Sequence, residues 1–268
     1  TAGTLRSFCG PCDGRGRMRL EGRVIVVTGG SQGIGAAIAR RYAREGAHVA
    51  ILNRDHDAGR AVADAIAADG GRAVAVRCDV SDVPRLQRAV DAVHEALGPV
   101  DVLVNNAGAF VMSPLGGTDE AGFDLMIGAN LKGPFFLTQA VLPDFEAAGR
   151  GKVINIGSIF GNDGFPESSV YCGTKSALHM FTKVWALDLR ERNVQVNAIA
   201  PGFVETPLNA GFRAQNADYR RRADERFGGP GVWMQADEVT GAAVFLASQD
   251  ADSVTGATLY VDRGWSAY

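Results

Sequence analysis

Cysteine and histidine are scarce in this chain, four of each in 268 residues. Cys9, Cys12, Cys78 and Cys172 are too few and too scattered for a disulfide framework in a domain this large, and a reducing cytoplasm is the expected setting. Cys9-Gly10-Pro11-Cys12 has thioredoxin-like spacing, but it lies in a Gly/Arg-rich stretch rather than at a helix start, and no second ligand pair follows downstream to complete a metal site. Positive charge is also lacking. The net charge is -3 with no Lys/Arg stripe along a helix, which argues against a nucleic-acid partner. No apolar run approaches the roughly 18 residues of a membrane span, and the longest candidate, Val100 to Phe110, is broken by Asn105, Asn106 and Gly108.

What the chain does have is an ordinary globular composition, 46% hydrophobic and 21% charged, and a regular alternation of segment types. Short β-branched runs at 24–27, 48–52, 73–77, 100–104, 153–156, 194–199 and 257–261 read as strands, mostly buried on both faces. Between them, 34–45, 57–69, 83–97, 119–148, 169–192 and 237–248 carry a helical period. This alternation predicts one α/β domain: a doubly wound, Rossmann-type parallel sheet of about seven strands with right-handed crossovers and helices on both faces. Residues 1–18 are expected to form an extension without fixed structure and 19–268 the catalytic domain. The stretch 205–235, with Phe212, Tyr219, Phe227 and Trp233 among charges and glycines, is expected to be an irregular lid.

Ligands of such sheets bind at the carboxyl ends of the strands, and the chemistry-bearing residues fall there. Tyr171 and Lys175 stand four residues apart, one helical turn, so their side chains share a helix face. A free tyrosine titrates near pH ~10. The neighbouring ammonium is expected to lower that value and make the phenol a general acid/base. Upstream, the run Thr28-Gly29-Gly30-Ser31-Gln32-Gly33-Ile34-Gly35 joins the first strand to the first helix. Glycines there let the backbone turn tightly and approach a pyrophosphate seated on the helix N-terminus. At the end of the second strand, where a carboxylate would select NAD, stand Asn53 and Arg54. A neutral amide and a guanidinium tolerate a 2′-phosphate, which favours NADP, with NAD as the other option.

The glycine spacing combined with the Tyr171/Lys175 pair resembles the short-chain dehydrogenase/reductase family over residues 20–268. The resemblance implies a catalytic group of Asn130, Ser158, Tyr171 and Lys175. Ser158 would donate to the substrate oxygen, Lys175 would also hold the nicotinamide ribose, and Asn130 would mark a helix kink that links Lys175 to solvent. It implies cofactor contacts from Gly29, Ser31, Gln32, Gly33, Ile34, Gly35, Asn53, Arg54, Asp79, Val80, Asn106, Ala107, Gly108, Pro201, Gly202, Val204 and Thr206, together with Tyr171 and Lys175, and no metal. Within that set, Asp79 would meet the adenine, Asn105-Asn106-Ala107-Gly108 would approach the cofactor and tie strands together, and Pro201-Gly202 with Thr206 would grip the carboxamide. Arg263 stands where the family usually has glycine, which puts the C-terminal contacts in question. His179 reads as packing or interface, and Cys172 as a small space-filler.

The implied activity interconverts a secondary alcohol and a ketone. Gly161-Asn162-Asp163-Gly164, the lid around Leu208-Asn209 and the tail Gly264–Tyr268 point by analogy to a small polyol, sugar or hydroxy-acid derivative, with 3-oxoacyl thioester reduction as the alternative. A non-catalytic NADP(H) sensor and the dehalogenase branch of the same fold are less consistent with an intact Tyr171, Lys175 and glycine turn. Members of the family are commonly homo-tetramers built on the helices that carry Asp119 and Tyr171 and on the C-terminal strand, and Phe181, Trp185, Trp265 and Tyr268 are the expected source of apolar contact surface.

Overall fold

The computed structural model describes residues 18–215, 217–227 and 231–267. Cys9, Cys12 and Tyr268 lie outside the described residues, as does the side chain of Phe227.

Seven strands, β1 (Val24–Thr28), β2 (His48–Asn53), β3 (Arg72–Arg77), β4 (Val102–Asn105), β5 (Gly151–Ile156), β6 (Val194–Pro201) and β7 (Thr258–Val261), form one sheet in the order 3-2-1-4-5-6-7. Every neighbouring pair is parallel. Successive side chains point to opposite faces, so Ile25 and Val27 enter one apolar layer while Val24 and Val26 enter the other. The central strands are buried throughout. The two edge strands β3 and β7 are only partly covered, because each has a neighbour on one side only.

The helices α1 (Gly33–Arg44), α2 (His56–Ala68) and α3 (Leu86–Leu97) follow the first three strands. Asp55 caps α2 by accepting from the Ala58 N-H, a standard start signal. The single helix expected over 119–148 is instead α4 (Glu120–Ile127), a π-helical turn Gly128–Lys132 and α5 (Gly133–Ala148). The interruption falls on buried Asn130, whose amide is drawn to the Ala109 backbone and away from the helix ladder. Next comes α6 (Ser169–Leu189).

The stretch expected to be irregular contains two helices, α7 (Pro207–Gln215) and α8 (Ala217–Phe227), before α9 (Asp237–Ala247). Polar residues dominate α8, which conceals its apolar stripe of Tyr219 and Ala223. Arg221 supports the helix through ion pairs with Asp218 and Glu225 at helical spacing.

The individual described side chains expected to supply apolar contact surface are not the exposed ones. Trp185 and Trp265 are buried in this chain's own core, and Phe181 packs against it. Among the described residues, the exposed apolar side chains on the expected helices and C-terminal strand are Met180, Val184 and Leu187 on the outer face of α6, Phe123, Leu125 and Phe136 on α4 and α5, and Leu259 and Tyr260 on β7; Met18, Leu115 and Leu208 are exposed elsewhere. No helix among the described residues is long and apolar enough to cross a membrane.

Candidate active site

The strand order reverses between β1 and β4, and a cleft of about 370 Å³ opens there at the carboxyl ends of the strands. Its floor is held by backbone contacts. The buried Thr28 hydroxyl accepts from the Asn106 and Ala107 N-H groups, both at 2.9 Å, and the Asn106 side-chain amide donates to Thr28 O at 2.8 Å and Gly29 O at 3.2 Å. Within the glycine turn, Gly35 is where a side chain is least tolerable. A Cβ there would stand 2.4 Å from both Asn106 Nδ2 and Gly29 O. Gly33 adopts φ +52°, a left-handed conformation that disfavours side chains. The turn is therefore a cradle with no side chain filling it, as the approach of a pyrophosphate requires.

The expected cofactor contacts Gly29, Ser31, Gln32, Gly33, Ile34, Gly35, Asn53, Arg54, Asp79, Val80, Asn106, Ala107, Gly108, Pro201, Gly202, Val204 and Thr206 all line this cleft, with Ser158, Tyr171 and Lys175. At the adenosine end, Asn53 is turned toward the start of α2. Its amide donates to Asp55 O, and its Oδ1 is buried without a partner against Gly59. That leaves Arg54, exposed and close enough to Asp79 to act on its carboxyl. Burial raises the Asp79 pKa, but hydrogen bonds from Ser81 and the Arg54 guanidinium outweigh it and hold the carboxyl below its ordinary value.

The four residues expected to act as the catalytic group lie where β4 and β5 end, and all but Asn130 line the cleft. Ser158, directly after β5, caps a short turn by accepting from the Phe160 N-H at 3.1 Å, and its hydroxyl also meets that of Tyr171. Lys175 Nζ lies 5.6 Å from the centre of the Tyr171 ring and donates to Ile156 O at 2.8 Å. Asn130 accepts from the Ala109 N-H at 2.8 Å and donates to Ala109 O and Thr174 Oγ1, both at 3.0 Å. Between it and Lys175 stands Gly108, where a Cβ would be 3.1 Å from Asn130 Oδ1 and 3.8 Å from Lys175 Nζ.

The electrostatics correct one expectation. The Tyr171 phenol is pushed up to about 12, chiefly by desolvation against Phe110 and Phe160, with the Ser158 hydrogen bond opposing the rise. Burial pushes the Lys175 ammonium down to about 8. Both groups sit where charge is poorly solvated, and the ammonium is directed at the Ile156 carbonyl, so adjacency alone does not make the phenol acidic.

His179, one turn further along α6, is a packing residue. It fills the space left by Gly157 and Gly161, where Cβ atoms would come within 2.2 and 2.5 Å of its ring. Burial, with Lys175 and Lys183 nearby, holds its imidazole down at about 4. Cys172 is a partly buried member of the aromatic cluster beside Tyr171. Arg263 takes φ +56°, so the position does use the left-handed conformation. Its guanidinium is anchored on Glu238 at 2.7 and 3.0 Å and on Gly231 O.

Sequence reasoning did not single out Asn155 and Thr182. Asn155, fully buried in β5, accepts from Asn105 Nδ2 at 2.9 Å and donates to Thr182 Oγ1 at 2.9 Å. Asn105 also donates to Thr138 on α5. This buried chain locks α6, which carries Tyr171 and Lys175, to the two strands beneath the site. An amide inside the apolar run Val153-Ile154-Asn155-Ile156 was the available signal. Asn162 and Asp163 were expected to add polarity to the site, but they are not among the residues lining the cleft. Asp163 lies instead near Tyr260.

Comparison with known proteins agrees with this architecture. Residues 23–217 match the family model described as short chain dehydrogenase. A sorbitol dehydrogenase of Cereibacter sphaeroides is 38% identical over 92% of this chain and 98% of its own length. A 3beta-hydroxysteroid dehydrogenase 1 of Eggerthella lenta is 38% identical over 93% of this chain and 95% of its own. Among solved structures, a gluconate 5-dehydrogenase from Burkholderia cenocepacia in complex with NADP and tartrate superposes with a TM-score of 0.88 at 35% identity, covering 94% of this chain and 98% of that one. Sheet order, glycine cradle, Ser-Tyr-Lys geometry and sequence likeness over nearly the whole chain lead to one assignment: the protein is an oxidoreductase belonging to the short-chain dehydrogenase family.

Proposed function

We propose that this chain interconverts a secondary alcohol and a ketone with NADP as cofactor and Tyr171 as general acid/base. The observation that carries the reading is the convergence of Ser158, Tyr171 and Lys175 on one cleft with the glycine cradle, at the reversal point of the sheet.

The residues present fit a dinucleotide. The backbone of Gly29–Gly35 would hold the pyrophosphate, Asp79 and Val80 the adenine, Arg54 the 2′-phosphate, Lys175 the nicotinamide ribose, and Pro201, Gly202, Val204 and Thr206 the carboxamide end. Bound there, NADP supplies a nicotinamide that accepts or donates hydride. Ser158 donates a hydrogen bond to the substrate oxygen as charge develops on it. Tyr171 gives that oxygen a proton in reduction and takes it back in oxidation. Asn130 keeps the π-helical turn beside Lys175 in place through Ala109 and Thr174. Support for NADP over NAD comes from Arg54 and from an Asn53 whose polar atoms face α2, and a solved relative carries NADP.

Among relatives, the names sorbitol and gluconate 5-dehydrogenase favour polyol or sugar-acid substrates and the hydroxysteroid name an apolar one, so the family leaves the substrate class to this chain's own cleft. Self-association as a tetramer would cover the exposed Met180, Val184 and Leu187 face and the β7 edge, and light scattering in solution tests it. The activity is tested by following NADPH and NADH oxidation against a panel of ketones. Turnover with a lower Michaelis constant for NADPH is expected. A lower constant for NADH overturns the cofactor preference, and no turnover of any ketone overturns the reaction.

A further inference from the structure

The half of the cleft beyond Ser158 and Tyr171 is walled by aromatic rings. Phe110 packs on Tyr171 with centroids 4.7 Å apart and on Phe212 at 5.0 Å. Phe160 and Phe203 continue the wall at 5.7 Å, and Tyr219 closes it against Phe203 at 5.9 Å. Phe110, Phe160, Phe203, Leu208 and Tyr219 all line the cavity.

The polar residues of the lid are largely engaged with one another. Glu205 pairs with Arg213 at 3.0 Å and Arg220 at 3.6 Å and accepts from Gln235, and both guanidinium groups lie over the Trp233 ring. None of these four polar side chains lines the cleft. Asn209 does, but its amide donates to Val204 O, and its Oδ1 accepts from Thr206 N and Arg213 Nε. The charged lining residues other than Lys175 are Arg54, Asp55 and Asp79, all at the opposite, adenosine end.

Beyond Ser158, Tyr171, Thr206 and the Tyr219 hydroxyl, this half of the cleft has few side-chain groups to receive a molecule that leaves water with several hydroxyls. Each hydroxyl left unpaired costs about tenfold or more in binding. A flat apolar ring would meet complementary ring faces.

Resting on the oxidoreductase reading above, we infer that the substrate is an apolar ring-bearing secondary alcohol or its ketone, alicyclic or fused to an aryl ring, rather than a polyol or an open-chain acyl thioester. In oxidation the hydroxyl proton passes to Tyr171 in its phenolate form, the bound dinucleotide would take the carbinol hydrogen with its electron pair, and the ring ketone is left. Phe110 is the specificity-determining residue of the wall, since it touches both the acid-base tyrosine and the α7 side of the lid.

The test compares 2-tetralone, fructose and an acetoacetyl thioester with NADPH, and follows 2-tetralone binding by tryptophan fluorescence. The expected result is a kcat/KM for 2-tetralone at least about 100-fold above the other two, with saturable binding. Phe110→Ala should lower the 2-tetralone value about tenfold with the NADPH dissociation constant unchanged. Preference for fructose or the thioester, or an unaltered 2-tetralone value in Phe110→Ala, overturns the inference and leaves the reaction standing. NADPH binding without turnover of any of the three overturns the inference, and the ketone panel described above then decides whether the reaction stands.

Discussion

At the dinucleotide end of the cleft the contacts run through backbone. Thr28, Asn106 and the glycines hold one another at hydrogen-bond distance, and any added Cβ at Gly35 collides with backbone and amide. At the aromatic end the surface is made of side chains from four separate segments, around Phe110, Phe160, Phe203 and α7–α8, packed ring against ring. A backbone site needs particular residues at particular spacings, because only small or turn-forming residues allow the approach. A packed wall needs only shape and hydrophobicity, which many residue combinations supply. The first kind of site leaves a motif in the sequence and the second does not.

Four measurements sharpen or break this contrast. The largest effect is expected between the two ends: Tyr171→Phe should lower kcat by about 10³-fold or more with the NADPH dissociation constant within about twofold. Retention of most activity would remove the phenol from the chemistry.

Next is the stability of the joint between them. Burial, with Lys175 and Lys183 nearby, holds the His179 imidazole down at about 4 against its ordinary 6.5, so the folded state binds fewer protons in that interval. Its contribution is complete above pH 6.5 and lost as the pH falls toward 4, up to about 3 kcal/mol. Urea midpoints across that range should drop steeply in the parent chain and less in His179→Gln; equal slopes would clear the imidazole.

Asn155→Ala should cost about 2 kcal/mol, because the Asn105 amide and the Thr182 hydroxyl lose a buried partner. It should also lower kcat more than it weakens NADPH binding, since it loosens α6. A thermal midpoint within 1 °C of the parent would contradict the bracing role; about 4 °C or more is expected for a domain this size.

The smallest effect is at the adenosine rim. Arg54→Asp should shift the NADPH/NADH ratio of kcat/KM toward NADH by about tenfold, and an unchanged ratio would exclude Arg54 from 2′-phosphate recognition.

Most strand positions were legible because a strand buried on both faces is a continuous apolar run, and the glycine turn and the Tyr171/Lys175 spacing were legible because local geometry alone places them. The π-helical turn at Asn130 was foreshadowed by an amide inside a helix, but its form depends on the Ala109 backbone, 21 positions away. The lid read as irregular because the apolar stripe of α8 is narrow and its partners, Phe165 and Phe203, lie on other segments.

The chain's own order of residues determined a parallel α/β sheet, the open glycine turn and the shared helix face of Tyr171 and Lys175, since each rests on contacts within a few positions or on a period along one element. Only the tertiary structure decided that Tyr171 and Lys175 are desolvated with opposite shifts, that Asn155 and Thr182 brace them, and that the facing wall is aromatic. Those properties depend on which distant side chains exclude water from the same small volume.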